Sequence, residues 1–467
     1  MKSFQIQSIF FIILFFFFII LSAAAKQSQR GNGSSESWGY VQVRPKAHMF
    51  WWLYKSPYRV SNSKQPWPTI LWLQGGPGGS GVGIGNFEEV GPLDTDLKPR
   101  NSTWLRMADL LFVDNPVGTG YSFVEDEKLF VKTDEEATAD LTTLLIRLFN
   151  KNEELQKTPL YIVAESYGGK YAVMLGLSAM KAIQAGRLKM KLGGIALGDS
   201  WISPEDFVVS WGPLLKDLSR IDYPALQKSN SIVQKIRQQI SAGQYREATD
   251  SWNELETVIS DSSNSVDFYN FLLDSGMDST SSSTLSTEVS SDERKGKVAA
   301  KRYSTYLNSL RSTTDDNNGG LDSLMNGVIK KKLKLPANVI WGSQSEQVFN
   351  TLQGDFMKPR IDEVDELLAK GVNVTVYNGQ VDLICATKGT QAWVEKLKWG
   401  GLKTFLGKTR TPLYCDGHGA TKGFTKSYKN FQFYWILGAG HFVPVDQPCV
   451  SLNMVGAITN SPAFGQV

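Results

Sequence analysis

Tyr161-Ile162-Val163-Ala164-Glu165-Ser166-Tyr167-Gly168-Gly169 decides the fold: an apolar run enters a serine, small residues follow, and a helical pattern then begins. This is the pattern of a nucleophile elbow. A strand turns sharply into a helix there, and the strained backbone that holds the serine oxygen above the sheet demands small neighbours. Ala164 stands where the usual G-x-S-x-G pattern has its first glycine.

A serine nucleophile needs a base, and the chain holds only His48, His418 and His441. In α/β hydrolases the catalytic order is serine, then acid, then histidine, with acid and base on loops that follow strands. His48 precedes the serine. His418 has no apolar strand leading into it and reads as a surface-loop residue. His441 follows the apolar run 431–437 and the tight Gly438-Ala439-Gly440, which is the required strand, turn and histidine. By the same logic the alternating run 372–377 and the turn signal Asn378-Gly379 deliver Asp382 as the acid. Asp109, Asp114 and Asp199 compete by residue type but fail the order or lie on the wrong side of the histidine-bearing strand.

The β-rich Thr69-Ile70-Leu71-Trp72-Leu73 empties into Gln74-Gly75-Gly76-Pro77-Gly78-Gly79-Ser80-Gly81. Such a loop presents bare backbone N–H groups. One of them, with the amide of Tyr167, would bind the oxygen that becomes negative during acyl transfer. A phosphate-binding reading fails because the chain lacks a G-x-x-x-x-G-K-[ST] pattern in this loop and Pro77 removes a donor.

Four ordered strings now resemble one family. Trp72-Leu73-Gln74-Gly75-Gly76-Pro77-Gly78-Gly79-Ser80, Asp114-Asn115-Pro116-Val117-Gly118-Thr119-Gly120-Tyr121-Ser122, Glu165-Ser166-Tyr167-Gly168-Gly169 and Gly440-His441-Phe442-Val443-Pro444 are similar to those of serine carboxypeptidases. Within the family the chain looks nearest the branch of retinoid-inducible and plant carboxypeptidase-like members. The resemblance spans nearly the whole mature chain. It implies a triad of Ser166, Asp382 and His441 and an oxyanion hole of Gly76 and Tyr167. It also implies a carboxylate-reading trio of Gln74, Glu89 and Glu165, with Gln74 replacing the family's usual asparagine. Phe442, Ile384 and Cys385 would line the pocket, with Tyr167 and Ile384 opposite Phe442. Family members often hold a free thiol at the place of Cys385, and many carry a cysteine where Gly79 stands here.

The implied reaction removes single residues from peptide or protein C-termini through an acyl-enzyme, needs no metal or organic cofactor, and is favoured at acidic pH. The pH preference follows from crowding: two glutamates beside a substrate carboxylate share protons only in acid. Two other readings stand beside it, an acyltransferase on small molecules and a non-enzymatic secreted scaffold with a vestigial site. Glu165 argues against the first, since acyltransferase members commonly carry aspartate before the serine.

Lys2, an apolar stretch over 9–21 and Ser22-Ala23-Ala24-Ala25 read as a secretory signal over 1–25 rather than a membrane span. After its removal no membrane span is expected. The expected location is extracellular or vacuolar. With 49 basic and 46 acidic residues, the net charge of +3 offers no footprint for nucleic acid or a membrane surface. Asn32, Asn101 and Asn373 open Asn-x-Ser/Thr tripeptides and are glycan candidates. Three cysteines permit at most one disulfide.

The remainder reads as an α/β-hydrolase fold: a central, mostly parallel sheet flanked by helices, with a helical cap insertion. Strands are expected at 38–43, 49–54, 69–73, 110–113, 160–164 and 195–197, and helices at 133–149 and 169–185. The core is expected over 26–200 and 355–467. The cap is expected over 201–354, with helices near 223–240, 245–259 and 302–310 and a serine-rich loop at 275–292. A single helix is expected over 355–370, with Met357, Ile361, Val364 and Leu368 on one face. The oligomeric state is left open.

Overall fold

The structure, a computed structural model, describes residues 29–30, 35–60, 64–275, 320–415 and 419–465. The signal segment 1–25, Asn32, the helix expected over 302–310, His418 and nearly all of the serine-rich loop lie outside the described residues.

Twelve described strands form one mixed sheet: β1 (Gln29–Arg30), β2 (Glu36–Arg44), β3 (Ala47–Tyr54), β4 (Thr69–Leu73), β5 (Asp109–Val113), β6 (Phe123–Val124), β7 (Pro159–Glu165), β8 (Lys191–Gly198), β9 (Val374–Gly379), β10 (Thr411–Leu413), β11 (Gly423–Tyr428) and β12 (Phe431–Ile436). The order is β1-β2-β3-β5-β4-β7-β8-β9-β12-β11-β10, with β6 beside β3. The six central strands, β5 to β12 in that order, run parallel, and antiparallel pairs close both edges. The carboxyl ends of β4, β7, β8, β9 and β12 therefore share one rim, where ligands bind in open α/β sheets.

Alternation along the central strands feeds two cores. Leu71, Leu73, Leu160, Ile162 and Ala164 point into one apolar cluster, while Ile70, Trp72, Tyr161 and Val163 point into the other. A parallel sheet covered on both faces has this pattern of near-continuous apolar runs. Each buried Leu or Ile contributes about 1.5–3 kcal/mol relative to exposure.

The first face is covered by α1 (Asp134–Phe149) and α2 (Gly168–Gln184). Thr133 caps α1 by accepting the amide of Glu136, and three acidic residues in its first turn suit the helix dipole. Between β8 and β9 the described residues form no strand. They form α3 (Pro204–Asp217), α4 (Tyr223–Ser241), α5 (Tyr245–Ser263), shorter helical turns near 320–333 and α6 (Glu346–Phe356).

One expectation needs correcting here. The helix foreseen over 355–370 is two elements, α6 and α7 (Ile361–Ala369), because Pro359 cannot continue the amide ladder and biases Lys358 away from helix. Met357, Val364 and Leu368 are nonetheless all buried. Cys415 and Cys449 form a disulfide, leaving Cys385 free and buried. Among the described residues no helix is long and apolar enough to cross a membrane.

Candidate active site

Ser166 follows β7 directly. Its φ of 59° lies in the left-handed region, and its amide donates to Gly198 O at 3.0 Å. Local crowding explains the glycines after it: a Cβ on Gly168 would stand 2.2 Å from Leu73 O. Ala164 is tolerated because its methyl faces the core between Leu73 and Leu197. The structural demand for small residues therefore falls after the serine here. Ser166 itself is partly exposed.

His441 and Asp382 meet from neighbouring strand ends. The turn after β9 packs on the turn after β12 through Val381 N to Ala439 O at 2.8 Å and Gln380 N to Ile436 O at 2.9 Å. His441 Nδ1 then lies 2.9 Å from Asp382 Oδ2, with both side chains fully buried. A carboxylate partner makes Nδ1 the protonated nitrogen, which leaves Nε2 as the acceptor. Nε2 is buried and has no hydrogen-bond partner among the described residues. No Ser166–His441 hydrogen bond is among the described contacts; such bonds often tighten only when substrate is present.

The glycine-rich loop lies against the serine. A Cβ built on Gly75 would be 2.5 Å from Ser166 Cβ and 2.9 Å from both its Oγ and the Tyr167 amide. Neither the Gly76 nor the Tyr167 amide donates to a backbone carbonyl among the described residues. The loop is clamped from outside by Ser345 N to Gly78 O (3.0 Å), Ser80 N to Ser343 O (3.0 Å) and Gln344 Nε2 to Pro77 O (2.6 Å). Asp114 fastens it from within, accepting from the Ser80 hydroxyl at 2.6 Å, Val82 N at 3.1 Å and Tyr121 N at 2.8 Å. Burial pushes Asp114 up to about 7.

Gln74, Glu89 and Glu165 converge. Gln74 Nε2 donates to Glu165 Oε1 at 2.8 Å and Glu89 Oε1 at 3.0 Å, while its Oε1 accepts from Trp72 Nε1 at 2.7 Å. Glu89 is delivered by a π-helical segment, Gly81–Val90, which is buried at every residue except Glu88. All three side chains are buried. Burial raises both glutamates above the ordinary carboxylate range, and the neighbouring Glu89 charge raises Glu165 further.

The pocket expectations separate. Ile384 is partly exposed, whereas Cys385 and Phe442 are fully enclosed, Phe442 with its ring 5.3 Å from that of His441. The Tyr167 side chain turns away from any pocket: it is 1% exposed, stacks 5.7 Å from Phe356, and donates to Asp134 Oδ1 at 2.7 Å. Asp134 also pairs with Arg360 at 2.9 Å and Lys170 at 3.3 Å. Tyr167 thus pegs the elbow into a buried ionic cluster, and only its amide serves the site. That corrects the expectation that its ring lines the cleft.

His48 sits far from these groups in sequence and contacts, 2.9 Å from Glu125 and stacked on Phe123. Asn101 and Asn373 are exposed, the latter just outside β9 rather than within it. Sequence reading missed Tyr269, whose carbonyl accepts the His441 amide at 2.8 Å and whose ring lies 5.1 Å from the imidazole. It sits in an irregular loop, where no periodicity marks a contact. It also missed Gln344, and Tyr377, whose hydroxyl is pushed up by burial and then by Glu165, Asp199 and Glu89.

The comparisons with known proteins agree with this geometry. The family described as serine carboxypeptidase matches residues 27–461. Serine carboxypeptidase-like 51 of Arabidopsis thaliana is 65% identical, covering 92% of this chain and 93% of the relative. The retinoid-inducible serine carboxypeptidase of Mus musculus is 46% identical, covering 91% of each. The solved structure of a prohormone-processing carboxypeptidase from Saccharomyces cerevisiae aligns with a TM-score of 0.73 at 23% identity over 91% of both chains, which establishes a shared fold. A match over nearly the full length, from a chain with a serine elbow and a paired histidine and aspartate at one sheet rim, makes this protein an enzyme of the serine carboxypeptidase family.

Proposed function

We propose that this chain removes single residues from the C-termini of peptides, with a preference for acidic pH, within the secretory route. The observation that carries the reading is the Gln74 amide bridging Glu89 and Glu165 one residue from the nucleophile. A buried trio with one shared proton and an amide donor is suited to a terminal carboxylate. It offers hydrogen bonds in acid and repulsion once the second proton leaves.

In this reading Ser166 Oγ attacks the last carbonyl while its proton passes to His441 Nε2. Asp382 stabilises the imidazolium through Nδ1–H. The Gly76 and Tyr167 amides receive the oxyanion. The imidazolium then protonates the departing amine, which leaves as a free amino acid. Water, deprotonated by the same nitrogen, releases the shortened peptide. No step calls for a metal. The apolar 9–21 stretch and the exposed acceptors Asn101 and Asn373 support a secretory route.

A matched pair of peptides, one with a free C-terminal carboxylate and one amidated, tests this. Only the free acid should be shortened efficiently. Equal cleavage of both would remove the carboxylate-reading role.

A further inference from the structure

Asp199 satisfies the order serine, acid, histidine but follows β8, which β9 separates from the histidine-bearing β12, yet the fold ties it to the turn that carries Asp382. It follows β8 with a φ of 40°, a left-handed conformation that Asp and Asn adopt more readily than most residues. Its amide donates to Tyr377 O at 2.9 Å, and its Oδ1 accepts from Gly379 N at 2.7 Å. One residue thus ties the end of β8 to the turn that carries Asp382.

The other carboxylate oxygen poses a problem. Asp199 is fully buried beside the turn that carries Asp382, and its Oδ2 has no hydrogen-bond partner among the described residues. Two ionised carboxylates buried on one turn repel, and a proton on one of them would turn the orphaned oxygen into a donor. Asp382 already receives a donor at each oxygen: His441 Nδ1 at 2.9 Å on Oδ2 and Cys385 N at 3.2 Å on Oδ1. Both Asp382 oxygens are thus occupied as acceptors, which leaves Asp199 as the side that can donate.

We propose that Asp199 is a positioning residue of the triad, staying protonated and donating a hydrogen bond to Asp382 so that the carboxylate is held in the orientation His441 requires. The proposal rests on the Ser166–His441–Asp382 reading above. The titratable groups that face Asp199 are Asp382, Asp446, Glu165, Tyr377 and Cys385, with His441 behind Asp382. Four of these five are acids or a thiol with no positive charge to offer, and Tyr377 is a phenol. Burial, then the charge of Asp382, keeps the Asp199 carboxyl well above the ordinary range.

The test uses the full chain and the rate at which a fluorophosphonate probe labels Ser166 from pH 4 to 8. Asp199→Asn keeps a neutral donor and tolerates the backbone. It should label within about threefold of wild type, with the acid limb of the profile unmoved to within about 0.3 pH units. Asp199→Ala removes the donor and should slow labelling by about tenfold or more. An acid limb displaced downward by on the order of one unit in the Asn variant would mean that a negative charge had been removed from beside the triad, and would overturn the proposal. So would an Ala variant that labels at the wild-type rate. If the Ala variant does not fold, the Asn profile decides alone. The probe needs no peptide, so the outcomes separate: a wild-type chain that resists labelling overturns the triad and this proposal together. A chain that labels but shortens no peptide overturns only the substrate assignment.

Discussion

Gln74 donates from one side-chain nitrogen to Glu165 at 2.8 Å and to Glu89 at 3.0 Å, so a single amide holds together two buried acids that would otherwise repel. Burial, and then the charge of Glu89, raise Glu165 well above its usual value, so the pair gives up its proton at higher pH than a solvated carboxyl does. Substrate affinity should therefore fall as pH rises from 5 to 8, seen as a rising KM at steady kcat. Glu165→Gln removes the ionisation while keeping a donor, and its KM should vary by less than about threefold over the same range. A wild-type KM that stays flat from pH 5 to 8 would contradict this account of the acids.

Asp382→Asn should lower kcat by on the order of 10³-fold or more while leaving KM nearly unchanged. Asparagine can present its NH2 to Nδ1 and favour the wrong imidazole tautomer. Separate measurement of kcat and KM checks it, with a variant above one tenth of wild-type kcat counting against the assignment.

Gly75→Ala places a methyl 2.5 Å from Ser166 Cβ and 2.9 Å from the Tyr167 amide. The loop must shift away from the serine, and an oxyanion donor moves with it. A kcat loss on the order of a hundredfold is expected. Unchanged kcat would show that this loop does not shape the site.

Stability carries its own pH signature. Glu89, Glu165 and Asp199 all have carboxyls raised in the folded state, chiefly by burial, and Asp114 is raised to about 7. The unfolded chain releases these protons near the ordinary values of 4.5 for Glu and 3.8 for Asp, so above those values the folded state binds more protons. Stability is then present in acid and is lost as pH rises through the folded pKa values. Lys170, lowered by burial to about 8, acts in the opposite direction only above that pH. Thermal unfolding should shift down by a few degrees between pH 5 and 7.5. A midpoint that rises over that interval would contradict the burial of these acids.

Much of this was legible in the sequence, for reasons that differ by residue. Strands β4 and β7 announced themselves because both faces are buried, giving unbroken apolar runs closed by glycine turns. The order serine, aspartate, histidine is a topological consequence of parallel strands, so Asp382 and His441 were found by position and now lie 2.9 Å apart. Asp199 satisfies that order and was set aside by strand position, since β9 separates β8 from the histidine-bearing β12. The rule speaks of who orients the histidine and says nothing of who supports the acid, a contact made across the β8 and β9 ends. Tyr269 and Gln344 sit in irregular segments, where contact with the site depends on tertiary docking that no local pattern records. Tyr167 illustrates the reverse: its place after the serine is set by the chain, but the direction of its ring was decided by Asp134, thirty-three positions upstream.

The most direct test of the central claim is mass spectrometry of a mixed peptide library incubated at pH 5 with wild type and with Ser166→Ala. The account predicts progressive loss of single C-terminal residues with the wild type and none with the variant. Shortening that persists in Ser166→Ala, or a wild type that leaves C-termini intact, would contradict it.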